Sequence, residues 1–135
     1  MTVTPRLDMI GIVTADLPRS LAFYRLLGIE IPEGLDEEPH VEVVLPGVRL
    51  AWDPVSTIRS FDPGFEHDPA ASGNLALAFD CGTPAGVDEA LAALVAAGTP
   101  VHLEPFDAPW GQRYASVVDP DGNAIDLFAA LDEVR

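Results

Sequence analysis

Apolar positions recur along this chain with two different periods. After Asp16, the residues Leu17, Leu21, Tyr24 and Leu27 fall on one stripe at helical spacing; after Thr83, Val87, Leu91, Leu94 and Val95 do the same. The spacing predicts helices over 17–27 and 84–97. Their ends agree with this. Asp16 and Thr83 are N-cap residue types, Pro18 and Pro84 stand in the first turn, where a missing N–H costs nothing, and Gly28 and Gly98 follow the last turn.

Strand-like runs flank both helices. Upstream lie 7–13 and 74–80. Downstream of the first helix come a short run at 29–31 and a hairpin of 40–45 and 48–52, turned by Pro46-Gly47. Downstream of the second come 101–103 and a hairpin of 112–118 and 124–128, turned by Asp119-Pro120-Asp121-Gly122-Asn123. The order strand, helix, strand, hairpin therefore occurs twice, with Gly28 and Gly98 spaced 70 residues apart. This predicts an α+β chain, a single domain over 1–135 made of two βαβββ modules, 5–53 and 74–131, with curved mixed sheets around one pocket. The connection 54–73, with Pro54, Pro63, Gly64 and Pro69, is expected to be irregular and to pack over that pocket.

Strand alternation assigns faces. Ile10 and Ile12 are expected under the first helix, with Met9, Gly11 and Val13 on the other side. Leu75, Leu77, Phe79, Ile125 and Leu127 are expected under the second, which turns Asn74, Ala76, Ala78, Asp126 and Phe128 away from it. The small residues Gly11, Ala76, Ala78 and Ser116 on the helix-opposite faces either leave room for a ligand or let two sheets approach closely. Trp52 shares a face with Leu50 and is either an inward-looking ring or a core aromatic.

Composition narrows the function. A formal net charge of −15 and a pI near 4.1 argue against nucleic acid, whose phosphates need clustered Lys and Arg, and suit either solubility or a cationic small molecule. No apolar run approaches the roughly 18 residues of a membrane span, and the first residues carry no apolar signal region. Cys81 is the only cysteine, so no intrachain disulfide forms. A cytoplasmic location is expected, and Cys81, with no histidine near it in sequence, is expected to be inert.

Several residues carry candidate chemistry. Trp110, between Pro109 and Gly111 just before a strand, offers either a flat ring to a ligand or a cover for the sheet edge. Asp126, between two core-facing residues, needs a partner, either Arg113 on the paired strand or a ligand amine or hydroxyl. Gln112 and Tyr114 share a parity and are polar pocket candidates, as is Asn74 at the pocket floor. Asp53 and Phe61 stand at the start of the connection, at the pocket rim.

The run Asp16-Leu17-x-Arg19-Ser20-x-x-Phe23-Tyr24-x-x-Leu27-Gly28, with Asp119-Pro120-Asp121-Gly122-Asn123-x-x-Asp126-Leu127, resembles the vicinal oxygen chelate superfamily of glyoxalases, bleomycin resistance proteins and extradiol dioxygenases. Its enzymes hold a divalent metal with His and Glu. The matching positions here are Met9, Asn74, Asp126 and Leu50 or Trp52, of which only Asp126 is an ordinary ligand, so no metal or other cofactor is expected. Within the superfamily, Pro39-His40-x-Glu42, Arg49-Leu50-Ala51-Trp52-Asp53, Arg59-Ser60-x-Asp62-Pro63 and Trp110-Gly111-Gln112-Arg113-Tyr114-Ala115 resemble the mitomycin resistance branch. That resemblance implies a homodimer, with modules contributed by both chains, and a flat aromatic or quinone antibiotic stacked between His40 and Trp110; with an unperturbed pKa near 6.5, His40 can stack as a neutral imidazole at pH 7. The expected function is metal-free sequestration of such a molecule through His40, Trp52, Asp53, Phe61, Asn74, Trp110, Gln112, Tyr114 and Asp126. The alternative is a glyoxalase-like lyase or a dioxygenase acting on a small metabolite.

Overall fold

A computed structural model of the chain describes residues 7–69 and 76–131. The chain divides into two compact units, 1–67 and 68–135.

In the first unit, β1 (Met9–Thr14) leads into α1 (Leu17–Leu26), followed by the hairpin β2 (Val41–Leu45) and β3 (Val48–Pro54) and by α2 (Val55–Phe61). The sheet order is β1-β3-β2, with β1 parallel and β2 antiparallel to β3. Asp16 caps α1 by accepting from the Arg19 N–H at 3.2 Å. Leu17, Leu21, Phe23 and Tyr24 of α1 are buried, as are Ile12, Leu50 and Trp52 of the sheet.

In the second unit, β4 (Ala76–Asp80) leads into α3 (Pro84–Ala96), then β5 (Val101–Ala108), β6 (Gln112–Val118) and β7 (Ala124–Ala130). The order is β4-β7-β6-β5, parallel only between β4 and β7. Thr83 caps α3 through the Gly86 N–H at 3.0 Å. Val87, Leu91 and Leu94 pack onto a sheet face where Ala115, Val117, Ile125, Leu127 and Ala129 are buried. Burying these branched side chains stabilises the unit by roughly 1.5–3 kcal/mol for each large one.

The α+β architecture with a repeated β-α-β hairpin unit is as the sequence predicts, and so are the faces of β1, β4 and β7. Two expectations need correction. The run 29–31 forms no strand. Pro32 supplies no N–H to a ladder, and the segment is held by Arg25, whose Nε donates to the Ile31 carbonyl at 3.0 Å and Nη2 to the Pro32 carbonyl at 2.6 Å. The connection is not irregular throughout. It begins with α2, which packs against β1 and β3 of the first unit, and Thr57 Oγ1 donates to the Pro39 carbonyl at 2.6 Å. The β-branched Val55, Thr57 and Ile58 hid this helix, since they weigh against helix by propensity and tertiary packing overrides that. No helix among the described residues is long and apolar enough to cross a membrane.

Candidate functional site

On the helix-opposite face of the first sheet, register places Glu42 beside Ala51 and Gly11, and Arg49 beside Met9. His40 stands just before β2. Its Nδ1 lies 2.6 Å from Asp53 Oδ1 and its Nε2 2.9 Å from Glu42 Oε2. Arg49 Nη1 donates to the second Glu42 oxygen at 2.7 Å, and its Nη2 and Nε reach Asp8. The result is a chain of alternating charge, Asp53–His40–Glu42–Arg49–Asp8. Carboxylates accept only, so both imidazole nitrogens donate when the ring is charged. Asp53 first and Glu42 second raise the His40 pKa above its ordinary value, while His40 and then Arg49 lower that of Glu42. The neutral ring expected for His40 is therefore the less favoured form in this setting, since both carboxylates stabilise the protonated imidazole.

Trp52 is also reassigned. Its register partner in β1 is Ile12, on the side of α1, and its ring meets Tyr24 edge-on with centroids 5.5 Å apart. It is fully buried and belongs to the core, not to a ligand surface. Phe61 ends α2 with 72% of its surface exposed, and among the described residues its ring pairs with no other aromatic ring. Asn74 and Leu75 lie outside the described residues.

The helix-opposite face of the second sheet gathers a different set. Tyr114 faces Phe128 across one side and Phe106 across the other, and Asp126 is paired with Ser116 and Ala78. Trp110, in the β5–β6 turn, lies against Tyr114 and Phe106 with centroids 5.4 and 6.1 Å away. The Phe106–Tyr114 pair is 6.0 Å apart, and all three contacts are edge-to-face. The indole N–H donates to Gln112 Oε1 at 2.9 Å, which fixes the ring while leaving Trp110 58% exposed. The Tyr114 hydroxyl donates to Asp126 Oδ2 at 2.6 Å. Burial first and the Asp126 carboxylate second push the Tyr114 pKa up to about 12, so this phenol is a donor throughout the physiological range.

Arg113 is not the partner of Asp126. Alternation sends it to the helix side of β6, where it binds Asp88 of α3 at 3.0 Å and Asp107 at 3.1 Å. Burial raises the pKa of the Cys81 thiol, which keeps it in the unreactive form. Phe106 is the residue that sequence reasoning missed. Pro105 and two register shifts interrupt β5 before it, and counting alternation back across the turn from Tyr114 is the signal that finds it.

The whole of residues 6–127 matches the profile of the Glyoxalase/Bleomycin resistance protein/Dioxygenase superfamily. The chain belongs to this superfamily. It is similar in structure to a glyoxalase/bleomycin resistance protein/dioxygenase from Nocardioides (26% identity, covering 100% of this chain and 89% of that one, TM-score 0.73). It is similar too to a family enzyme from Burkholderia phytofirmans PsJN (20%, 94% and 100%, TM-score 0.77) and to a lactoylglutathione lyase from Agrobacterium tumefaciens (22%, 95% and 96%, TM-score 0.65). No curated protein matches the chain. The profile match establishes the superfamily and the likenesses support its fold of two βαβββ modules, the first here without a strand at 29–31, and none of them establishes a branch within it.

The divalent metal that the superfamily's enzymes hold finds a poor donor set at the corresponding positions. Leu50 and Trp52 are apolar and point under α1, Met9 offers a thioether, and the Asp126 carboxylate is engaged by Tyr114. Among the described residues no group of three His, Cys, Asp or Glu side chains is placed to hold an ion.

Proposed function

We propose that this superfamily member binds a planar aromatic or quinone-type small molecule without a metal and withholds it from its target, as an antibiotic resistance protein does. The observation that carries the reading is the anchored but exposed Trp110, braced edge-on by Phe106 and Tyr114. A single exposed tryptophan is ordinary. One fixed by a hydrogen bond and two ring contacts is pre-organised, so a flat ligand gains stacking energy, roughly 0.5–1.5 kcal/mol beyond area burial, without first ordering the ring. Gln112 fixes the indole, and Asp126 with Tyr114 supplies polar groups for orientation. The lining of apolar and aromatic groups with few polar ones suits binding more than turnover.

The experiment uses the two tryptophans as separate reporters, since Trp52 is buried and Trp110 exposed. Saturable quenching by mitomycin-type quinones or flat heteroaromatics is expected, with ligand anisotropy showing that Trp110→Ala binds at least several-fold more weakly. No saturable binding across a varied panel, or unchanged binding by Trp110→Ala, overturns the reading. Stoichiometric Zn²⁺, Fe²⁺ or Mn²⁺ in protein purified without chelators would favour the lyase or dioxygenase alternative. Pairing of two copies belongs to the same proposal. The exposed Leu7 and Val44, 79% and 80% accessible, support it, and sedimentation equilibrium tests it, a concentration-independent monomer being the contrary result.

A further inference from the structure

The second unit holds a carboxylate in an unusual electrostatic setting. Asp126 is half-buried on the helix-opposite face, and its Oδ2 accepts the Tyr114 hydroxyl. Among the described residues Oδ1 has no hydrogen bond and no ion pair. Arg113, the one described arginine of the unit, is sequestered by Asp88 and Asp107 on the other side of the sheet. His102 of β5 makes no ion pair with Asp126. The sequence contains no lysine, and residues 68–135 hold eleven acidic side chains against two arginines. A hydroxyl satisfies one lone pair of a carboxylate but does not neutralise its charge. Asp80, exposed on the same face of β4, adds a second negative group.

The ring of Tyr114 links this charge to the stacking surface, touching Trp110 at one side and donating to Asp126 at its hydroxyl end. Electron-rich aromatic faces attract cations as well as flat rings. The described carboxylates and ring faces on this side thus both favour a cation.

We propose that the ligand is a planar aromatic cation bearing an N–H group, its ring on Trp110 and its protonated amine or amidinium on Asp126 Oδ1. This rests on the stacking reading above and names the chemical class that stacking alone leaves open. The carboxylate selects charge and the indole selects shape.

The test compares three flat probes of similar size by titration in moderate salt: an aminoacridinium dye (cationic), phenazine (neutral) and an anthraquinone sulfonate (anionic). Wild-type protein is expected to prefer the cation to phenazine by about tenfold, the scale of one charge-assisted hydrogen bond, and to take the sulfonate least. Asp126→Asn keeps an acceptor for Tyr114 and is expected to erase the preference for the cation over phenazine. Tyr114→Phe retains the charge and is expected to retain the preference. Glu89→Gln removes one charge from the exposed surface of α3, away from this face, and is expected to retain it too, which separates a local contact from the general field. A preference that survives Asp126→Asn, or falls equally in Glu89→Gln, overturns the cation proposal while stacking stands. Failure of all three probes to bind wild-type protein overturns stacking itself, and the cation proposal with it.

Discussion

The two modules end their helices in the same way and build opposite chemistry on the faces that point away from those helices. In α1 the Ile29 N–H reaches back to the Tyr24 carbonyl at 3.0 Å. In α3, 70 residues later, the Thr99 N–H reaches the Leu94 carbonyl at 2.9 Å. Gly28 and Gly98 sit at equivalent points of this closing turn. Beyond it, the second module forms an eight-residue β5 and a four-stranded sheet, whereas the first runs from Ile29 to His40 without a strand and has three. The first face carries the ion chain from Asp53 to Asp8. The second carries the rings of Phe106, Trp110, Tyr114 and Phe128 and the carboxylates of Asp126 and Asp80, with no described arginine beside them. One tryptophan from each module makes the contrast plain. Trp52 is inside, locked against Tyr24, and Trp110 is outside, braced for contact. A duplicated scaffold thus preserves helix caps and core parity and leaves the helix-opposite face freer to diverge, because its side chains do not pack under the helix.

The largest expected effect tests the division between the two tryptophans. Trp52→Ala should destabilise the protein by about 3–5 kcal/mol, whereas Trp110→Ala should cost about 1 kcal/mol or less and instead weaken binding. Equal losses in chemical denaturation would erase the distinction. Next comes the pair of hairpin turns. Gly122 has φ +88° and an added Cβ would lie 2.0 Å from the Pro69 carbonyl oxygen, while Gly47, at φ +82°, meets nothing within 4 Å. Gly122→Ala should therefore cost roughly 2 kcal/mol or more and Gly47→Ala about 1 kcal/mol, since only the first adds a backbone clash to the left-handed strain. Similar melting temperatures for the two variants would contradict this.

Two smaller predictions concern pH. The folded Tyr114 phenol holds its proton more tightly than the unfolded one, so its contribution is complete below about pH 10 and is lost as pH rises towards about 12. The stability gap between wild type and Tyr114→Phe should shrink across that window, and a gap that widened there would refute the assignment. For His40 the folded pKa is also raised, so its contribution is complete below the unfolded value near 6.5 and disappears as pH passes the folded one. The effect is small, because the ring is 42% exposed and water screens both partners. Resonances of His40 should titrate above those of an unstructured histidine, and Asp53→Asn should bring the midpoint down. An unshifted midpoint in the wild-type protein would break the ion chain at its centre.

Legibility in the sequence followed the same division. Leu21, Tyr24, Leu91 and Leu94 declared the helices and Ile125 and Leu127 the core strand, because burial enforces a strict period. Parity alone put Gln112 and Tyr114 on a common face and turned Asp126 away from the helix, and the structure brings them together and adds the hydrogen bond between Tyr114 and Asp126. The carboxylate partners of His40 were not legible, since Asp53 and Glu42 approach it only when β2 pairs with β3. Nor was the partner of Arg113, which comes from α3 across the sheet. Trp52 was ambiguous because large aromatics serve cores and binding surfaces alike, and only its register against Ile12 decides.

By itself, then, the sequence determined the duplicated α+β plan, the caps and the apolar faces, all of which depend on local spacing and short-range sterics. Tertiary structure decided which charges neutralise one another and which do not. It spent Arg113 on Asp88, His40 on two carboxylates and Trp52 on the core, and left Trp110 and Asp126 facing outward. Those outcomes depend on through-space distances between strands and helices far apart in the chain, which no periodicity encodes.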